Sequence, residues 1–101
     1  MKYEVLFPSS SIEKRVEKFI IKIPEKAIQI HIVEAIKSLA VDPRPYGRKV
    51  FKILKPPLYF YQFLAQFRLR VGDYRILYDI DDKAKIVWIL DVRRRSEQTY
   101  R

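Results

Sequence analysis

Alternation of apolar and polar residues is sharpest in Phe67-Arg68-Leu69-Arg70-Val71-Gly72-Asp73-Tyr74-Arg75-Ile76-Leu77-Tyr78. Two runs of period two flank Gly72-Asp73, the pattern of a hairpin closed by a two-residue turn. Glycine at the first central position suits a type II′ turn, which needs φ > 0 there. The turn sets the register: Val71 faces Tyr74, Arg70 faces Arg75, Leu69 faces Ile76, Arg68 faces Leu77 and Phe67 faces Tyr78. Alternation then assigns Phe67, Leu69, Val71, Tyr74, Ile76 and Tyr78 to a face built to bury. The other face carries Arg68, Arg70 and Arg75 around Leu77. Like charges directly opposite each other on a sheet cost roughly 0.2–1 kcal/mol. A face with Arg70 opposite Arg75 is therefore either a wet strand face or a rigid guanidinium cluster that binds phosphate.

The same patterning divides the rest of the chain. Tyr3–Phe7 predicts a short strand closed by Pro8. Ser9, Ser10 and Ser11 offer N-caps, and Ile12, Val16, Phe19 and Ile20 mark a helix over Ser11–Ile21. Ile23-Pro24 breaks it, and Pro24 suits the first turn of a second helix that runs to Ala40. The two helices read as an αα-hairpin laid on a sheet. Asp42-Pro43-Arg44-Pro45-Tyr46-Gly47 is a turn-forming link. Arg48–Leu54 predicts a strand with room for a bulge, and Lys55-Pro56-Pro57 is unfit for a central strand. Leu58–Val71 reads as one long strand, and Tyr74–Ile80 returns. Asp81-Asp82-Lys83-Ala84 is a turn. Lys85–Val92 is nearly all apolar, as expected of a strand buried on both faces. The expected fold class is α+β: an N-terminal helical hairpin packed on a mostly antiparallel sheet of four to five strands, in one domain over residues 1–101.

Charge sharpens this picture. The 101 residues carry a formal net charge of +9, and the segment from Arg44 to Arg75 holds +7 of it. A basic sector on a compact domain favours a polyanionic partner, nucleic acid or acidic protein. With no cysteine and one histidine, thiolate chemistry and histidine-based hydrolysis are excluded, and only an all-oxygen metal site would remain. His31 reads as a helix-surface or boundary residue, and Asp79, Asp81 and Asp82 as turn residues. Gly47 and Gly72 are the only glycines, too few for a phosphate loop. No cofactor is expected. The start lacks an apolar signal core and no apolar run is long enough to span a bilayer, so the expectation is a cytoplasmic protein without membrane contact. The aromatic stretch Leu58–Leu64 has two readings, base stacking and packing or docking. The tail places Arg93, Arg94 and Arg95 directly after the last strand, with Tyr100 within reach. An arginine face with a tyrosine can hold a phosphodiester and stabilise charge on a phosphorane, but has no evident general base.

Arg68 to Tyr78 resembles the central hairpin signature of the RelE/ParE superfamily of type II toxins, and the order of the remaining elements agrees with it. The resemblance implies a ribosome-dependent endoribonuclease that cuts translated mRNA in the A site by 2′-hydroxyl attack. It implies a cognate acidic antitoxin, ribosome and mRNA as partners, and a toxin–antitoxin hetero-oligomer. Carried over by position, Arg68 and Arg70 match the basic pair before the turn, and Arg75 the arginine on the scissile phosphate. Arg94 or Arg95 matches the basic position after the last strand, and Tyr100 the near-terminal tyrosine that stacks on or polarises substrate. Arg48, Lys49, Lys52, Lys55 and Arg93 are the expected RNA-backbone contacts. Two features depart from the pattern: an aromatic link from Lys55 to Gln66, and arginine where lysine is usual. ParE-like relatives share the fold and poison DNA gyrase instead, and a non-catalytic RNA- or protein-binding module is the third alternative.

Overall fold

A computed structural model describes residues 2–47 and 49–95. The order is β1 (Glu4–Leu6), α1 (Ser10–Ile21), α2 (Lys26–Ser38), β2 (Phe51–Phe60), β3 (Phe63–Val71), β4 (Tyr74–Asp81) and β5 (Ile86–Arg94). The strands form one sheet in the order β1-β5-β4-β3-β2. Only the β1–β5 pair is parallel; the others are antiparallel. The α+β expectation holds.

Local chemistry explains the helix starts. Ser9 Oγ accepts from the Ile12 N–H at 3.2 Å, and Glu13 lies in the first turn where a negative charge is favoured. α2 begins later than expected. Pro24 precedes it, Glu25 is its N-cap without a side-chain bond, and Gln29 Nε2 instead donates to the Ile23 carbonyl at 2.7 Å across the connection. α1 packs on β5 and α2 on β3. Ile12, Val16 and Ile32 from the helices meet Leu69, Ile76, Tyr78, Val87, Ile89 and Val92 from the sheet in one core.

The central hairpin has the register read from sequence, residue by residue from Phe67↔Tyr78 to Val71↔Tyr74. Gly72 has φ +58° while Asp73 is not in the positive region, the φ pattern of a type II′ turn. Val71 is half-buried; the other five members of the expected buried face are fully so.

Three expectations need correction. Leu58–Val71 is two strands, because Tyr61-Gln62 turns the chain with Phe60 opposite Phe63. Tyr61 takes φ +58° there, a position for which glycine or asparagine is the usual signal. Second, β2 begins at Phe51 and passes through Pro56 and Pro57. It can do so because it is an edge strand whose pairing shifts between Ile53 and Leu58, so the prolines interrupt no ladder. Third, β5 extends to Arg94, so Arg93 and Arg94 belong to the sheet.

A polar clasp holds the link at residues 42–47. Arg44 donates to both oxygens of Asp82 at 3.0 and 2.8 Å, and Tyr3 Oη donates to the same carboxylate at 2.6 Å. Tyr78 Oη donates to the Pro43 carbonyl at 2.7 Å, and burial pushes that phenol well above its ordinary value. The hydrogen bond from Arg44 holds the Asp82 carboxyl well below the usual carboxylate range. A carboxyl depressed on folding stabilises the fold fully above its unfolded value near ~3.9, and that contribution disappears as pH falls below it. Asp82→Asn is therefore expected to lower stability at neutral pH and to flatten the acid limb of the unfolding curve below about pH 4. Chemical denaturation across pH checks this; an unchanged acid limb would show the clasp to be inert.

Candidate nucleic-acid interface

The sheet's second face gathers the cations in two cross-strand rows. Arg70 lies opposite Arg75, which lies opposite Arg93. One step along, Lys52 is opposite Arg68, Arg68 opposite Leu77, and Leu77 opposite Asp91. Regular alternation on four neighbouring strands thus brings together residues far apart in sequence.

This face is not an open wet surface. Leu77 is 2% exposed and Leu90 is 1% exposed, although neither belongs to the helix-facing row. The cover is the end of the β2–β3 hairpin, which runs beyond the last β3–β4 pair at Phe67↔Tyr78 and folds across the face as an arm. Its Phe60 ring lies 5.2 Å beneath the Arg93 guanidinium of β5, and Arg15 of α1 stands 5.7 Å from the Tyr61 ring. The two readings of the aromatic stretch therefore divide by residue: Phe60 and Phe63 pack against the core, whereas Tyr59 and Tyr61 are exposed.

Between the arm and the strands lies a cleft of about 300 Å³ lined by Lys52, Leu54, Lys55, Pro56, Leu58, Arg68, Arg75, Leu77 and Arg93. Burial pushes the Arg68 and Arg75 guanidinium values below the ordinary one, and neighbouring cations add to the effect. Arg70 and Arg95 act on Arg68; Arg68, Arg95, Arg70 and Arg93 act on Arg75. Arg68 Nε is buried and finds no hydrogen-bond partner among the described residues. Arginine stays protonated under such shifts, so the strain is relieved by an anion rather than by loss of a proton. The two non-bridging oxygens of a phosphodiester match those guanidinium forks.

The tail arginines separate. Arg94 is opposite Tyr74, on the helix side, and exposed. Arg95 follows the strand with its N–H donating to the Asp73 carbonyl at 2.6 Å, which anchors it beside the central turn and near Arg68 and Arg75. Arg93 lines the cleft but is held by Asp91: Nε donates to Oδ2 at 2.9 Å, and Nη2 is 2.9 Å from the same oxygen. Lys49 is exposed and outside the lining of the cleft. The expectations for Arg48 and Tyr100 lie outside the described residues. A larger hollow of about 370 Å³ opens between α2 and β3, where His31 and Glu34 stand with Asp42 and Arg70. Its two acids make it less suited to phosphate than the smaller cleft.

Sequence reasoning missed Asp91 and Arg15, and the contact of Phe60 with Arg93. Asp91 had a signal, a single acid inside an apolar run two residues before three arginines. Arg15 had none, because only the packing of α1 on β5 brings it beside Asp91, and the reach of Phe60 to Arg93 depends on the unforeseen turn at Tyr61.

A family model described as the ParE toxin of the type II toxin–antitoxin system, parDE, matches residues 11–99. The chain belongs to this family of type II toxins, within the RelE/ParE superfamily. Among solved structures it is similar to the archaeal RelE of the RelE–RelB complex from Pyrococcus horikoshii, at 27% identity and TM-score 0.71, over 96% of this chain and 99% of that one. It is also similar to a chain of the toxin–antitoxin complex RelBE2 of Mycobacterium tuberculosis, at 29% identity and TM-score 0.62, over 94% of this chain and all of that one. A doubly substituted mutant of the E. coli toxin RelE in the free state shares the fold at 15% identity and TM-score 0.54, over 99% of this chain and 90% of that one. Comparison with curated proteins finds no match.

Proposed function

We propose that this toxin is a ribosome-dependent endoribonuclease that cuts translated mRNA, with the cationic cleft as its phosphate site. The observation that carries the reading is the pair of guanidiniums of Arg68 and Arg75, held on neighbouring strands and partly desolvated in a cleft sized for a phosphodiester, with the exposed Arg95 close to both. In this reading the substrate's own 2′-oxygen attacks the adjacent phosphorus. The bond to the 5′-oxygen breaks, the 2′-hydroxyl gives up its proton to water and the leaving 5′-oxygen takes one from water, so a 2′,3′-cyclic phosphate and a 5′-hydroxyl remain. Arg75, at the centre of its row, binds the scissile phosphate and stabilises the charge that grows on it. Arg68, Arg70 and Arg95 surround it, and Lys52 and Lys55 hold the flanking backbone. Arg48 and Lys49 extend that path, and Tyr100 stacks on or polarises the neighbouring base. Arginines are no bases at neutral pH, so positioning by the ribosome and electrostatic stabilisation supply the rate.

The similar chains named for RelB-containing complexes support an antitoxin partner for this chain too. A net charge of +9 favours an acidic antitoxin segment that occupies the cleft and blocks phosphate entry. Arg95 and Arg94 give an internal control. Arg95→Ala is expected to weaken RNA binding roughly ten- to hundredfold, the loss of one charge-assisted contact. Arg94→Ala should stay within about threefold, as befits a solvent-exposed charge. Filter binding of single-stranded RNA at fixed salt measures both, and equal losses would remove Arg95 from the site.

The match to a family model named for ParE favours a second reading, a toxin that poisons DNA gyrase. Mapping new mRNA 5′ ends after induction separates the two. Cuts within translated frames support the nuclease. Growth arrest with intact mRNA and broken DNA supports gyrase.

A further inference from the structure

The arm divides the second face of the sheet. Beyond it, away from the arginines, is another hollow of about 280 Å³, lined by Pro8, Phe63, Leu64, Asp79, Trp88 and Leu90. The phosphate chemistry uses none of these residues. Asp79 and Trp88 are directly opposite each other on β4 and β5, which sets their Cβ atoms roughly 4.5–5.5 Å apart on one face. An aromatic ring and a carboxylate thus stand side by side between apolar walls.

The carboxylate is only partly satisfied. Asp79 Oδ1 accepts from Gln66 Nε2 at 3.0 Å, and the Ile80 N–H adds a second bond. Two carboxylate oxygens carry about four acceptor sites, so capacity remains. Burial pushes the Asp79 carboxyl above its ordinary value despite both bonds, so a further donor would relieve a desolvated acceptor.

We propose that this hollow is a nucleobase pocket selective for guanine, formed by Trp88 and Asp79 beside the phosphate cleft. The ligand chemistry follows from the walls. A flat apolar ring is needed to fill the slot against Trp88, and donors are needed to face Asp79. Among the four bases only guanine presents two adjacent donors, N1–H and the N2 amine, on its pairing edge. Adenine puts an acceptor at N1, against the carboxylate. Leu77 at the floor of the phosphate cleft and Asp79 in the hollow are successive outward positions of β4, roughly 7 Å apart along the strand. The arm lies between the two hollows, so a strand of RNA that uses both crosses the arm within a few nucleotides. The inference rests on the reading of the cationic cleft as an RNA site and adds its base preference.

Trp88 is the only tryptophan in the chain, so its emission reports on this pocket alone. The test titrates the wild-type protein with 2′-O-methylated RNA pentamers, which lack the attacking hydroxyl. Three pentamers have uridines flanking a central guanine, adenine or inosine. The guanine pentamer is expected to quench Trp88 and to bind about tenfold or more tightly than the adenine one, with inosine between. Asp79→Asn should erase the guanine preference, by weakening the guanine pentamer and strengthening the adenine one, because an amide can donate to adenine N1. Equal, salt-dependent binding of all three would overturn the pocket and leave the phosphate cleft standing. A guanine preference that survives Asp79→Asn would overturn it as well. No binding of any pentamer at low salt would overturn both.

Discussion

Arg75→Ala is expected to abolish growth arrest and to remove new 5′ ends from translated mRNA, while the protein stays folded. In the proposed nuclease, Arg75 is the central cation of its row, between Arg70 and Arg93 in register. Removing one aligned donor from a developing oxyanion costs about 10²–10³ in rate. Stability should move the other way or not at all. The side chain is held among Arg68, Arg70, Arg93 and Arg95, and its removal relieves that repulsion. Arg75→Lys discriminates further. It keeps the charge but loses the planar fork, so a large residual defect would show that geometry and not charge alone is used. The measurements are 5′-end mapping after induction and thermal unfolding of the purified variant. A fully toxic Arg75→Ala would refute the arginine site. A toxic wild type that leaves mRNA intact would shift the reading to gyrase, with Arg75 then a docking residue.

Leu77→Ala should cost about 2–5 kcal/mol, the range for truncating a buried leucine. For a domain of this size that corresponds to a fall in Tm of roughly 4–8 °C per kcal/mol. Leu77 carries this weight because its second-face position is roofed by the arm, leaving it 2% exposed. It also lines the cleft between Arg68 and Arg75. Its loss leaves a cavity under the arm and loosens the floor on which both guanidiniums rest. RNA affinity should therefore fall together with stability. A leucine on a wet strand face would change stability by about 0.5 kcal/mol or less. Urea unfolding decides: a small effect would mean that the arm does not cover this face in solution.

Much of the proposed phosphate site is legible in the sequence. Arg68, Arg70 and Arg75 were placed on one face, in register, from alternation and one glycine-containing turn. The basic sector points to Lys52 and Lys55, but nothing in it shows what brings them near the arginines. The division between Arg94 and Arg95 was not legible, because parity along a strand helps only when the strand's end is known. Apolar content ran out at Val92, whereas hydrogen bonding to β4 continued to Arg94.

The chain alone determined the fold class, the helical hairpin, the central hairpin with its register and the arginines' common face. These depend on local physics: the 3.6- and 2-residue periods, N-capping serines and the positive φ that Gly72 adopts. The tertiary structure decided whether that face was wet or walled. Tyr61 takes a positive φ with no glycine to announce it, and the β2–β3 arm then closes over Leu77. The energy for that turn comes from burying Phe60, Phe63, Leu77 and Leu90, contacts between residues remote in sequence. No window of the chain contains them together, so only the assembled sheet could turn an arginine-bearing strand face into a cleft.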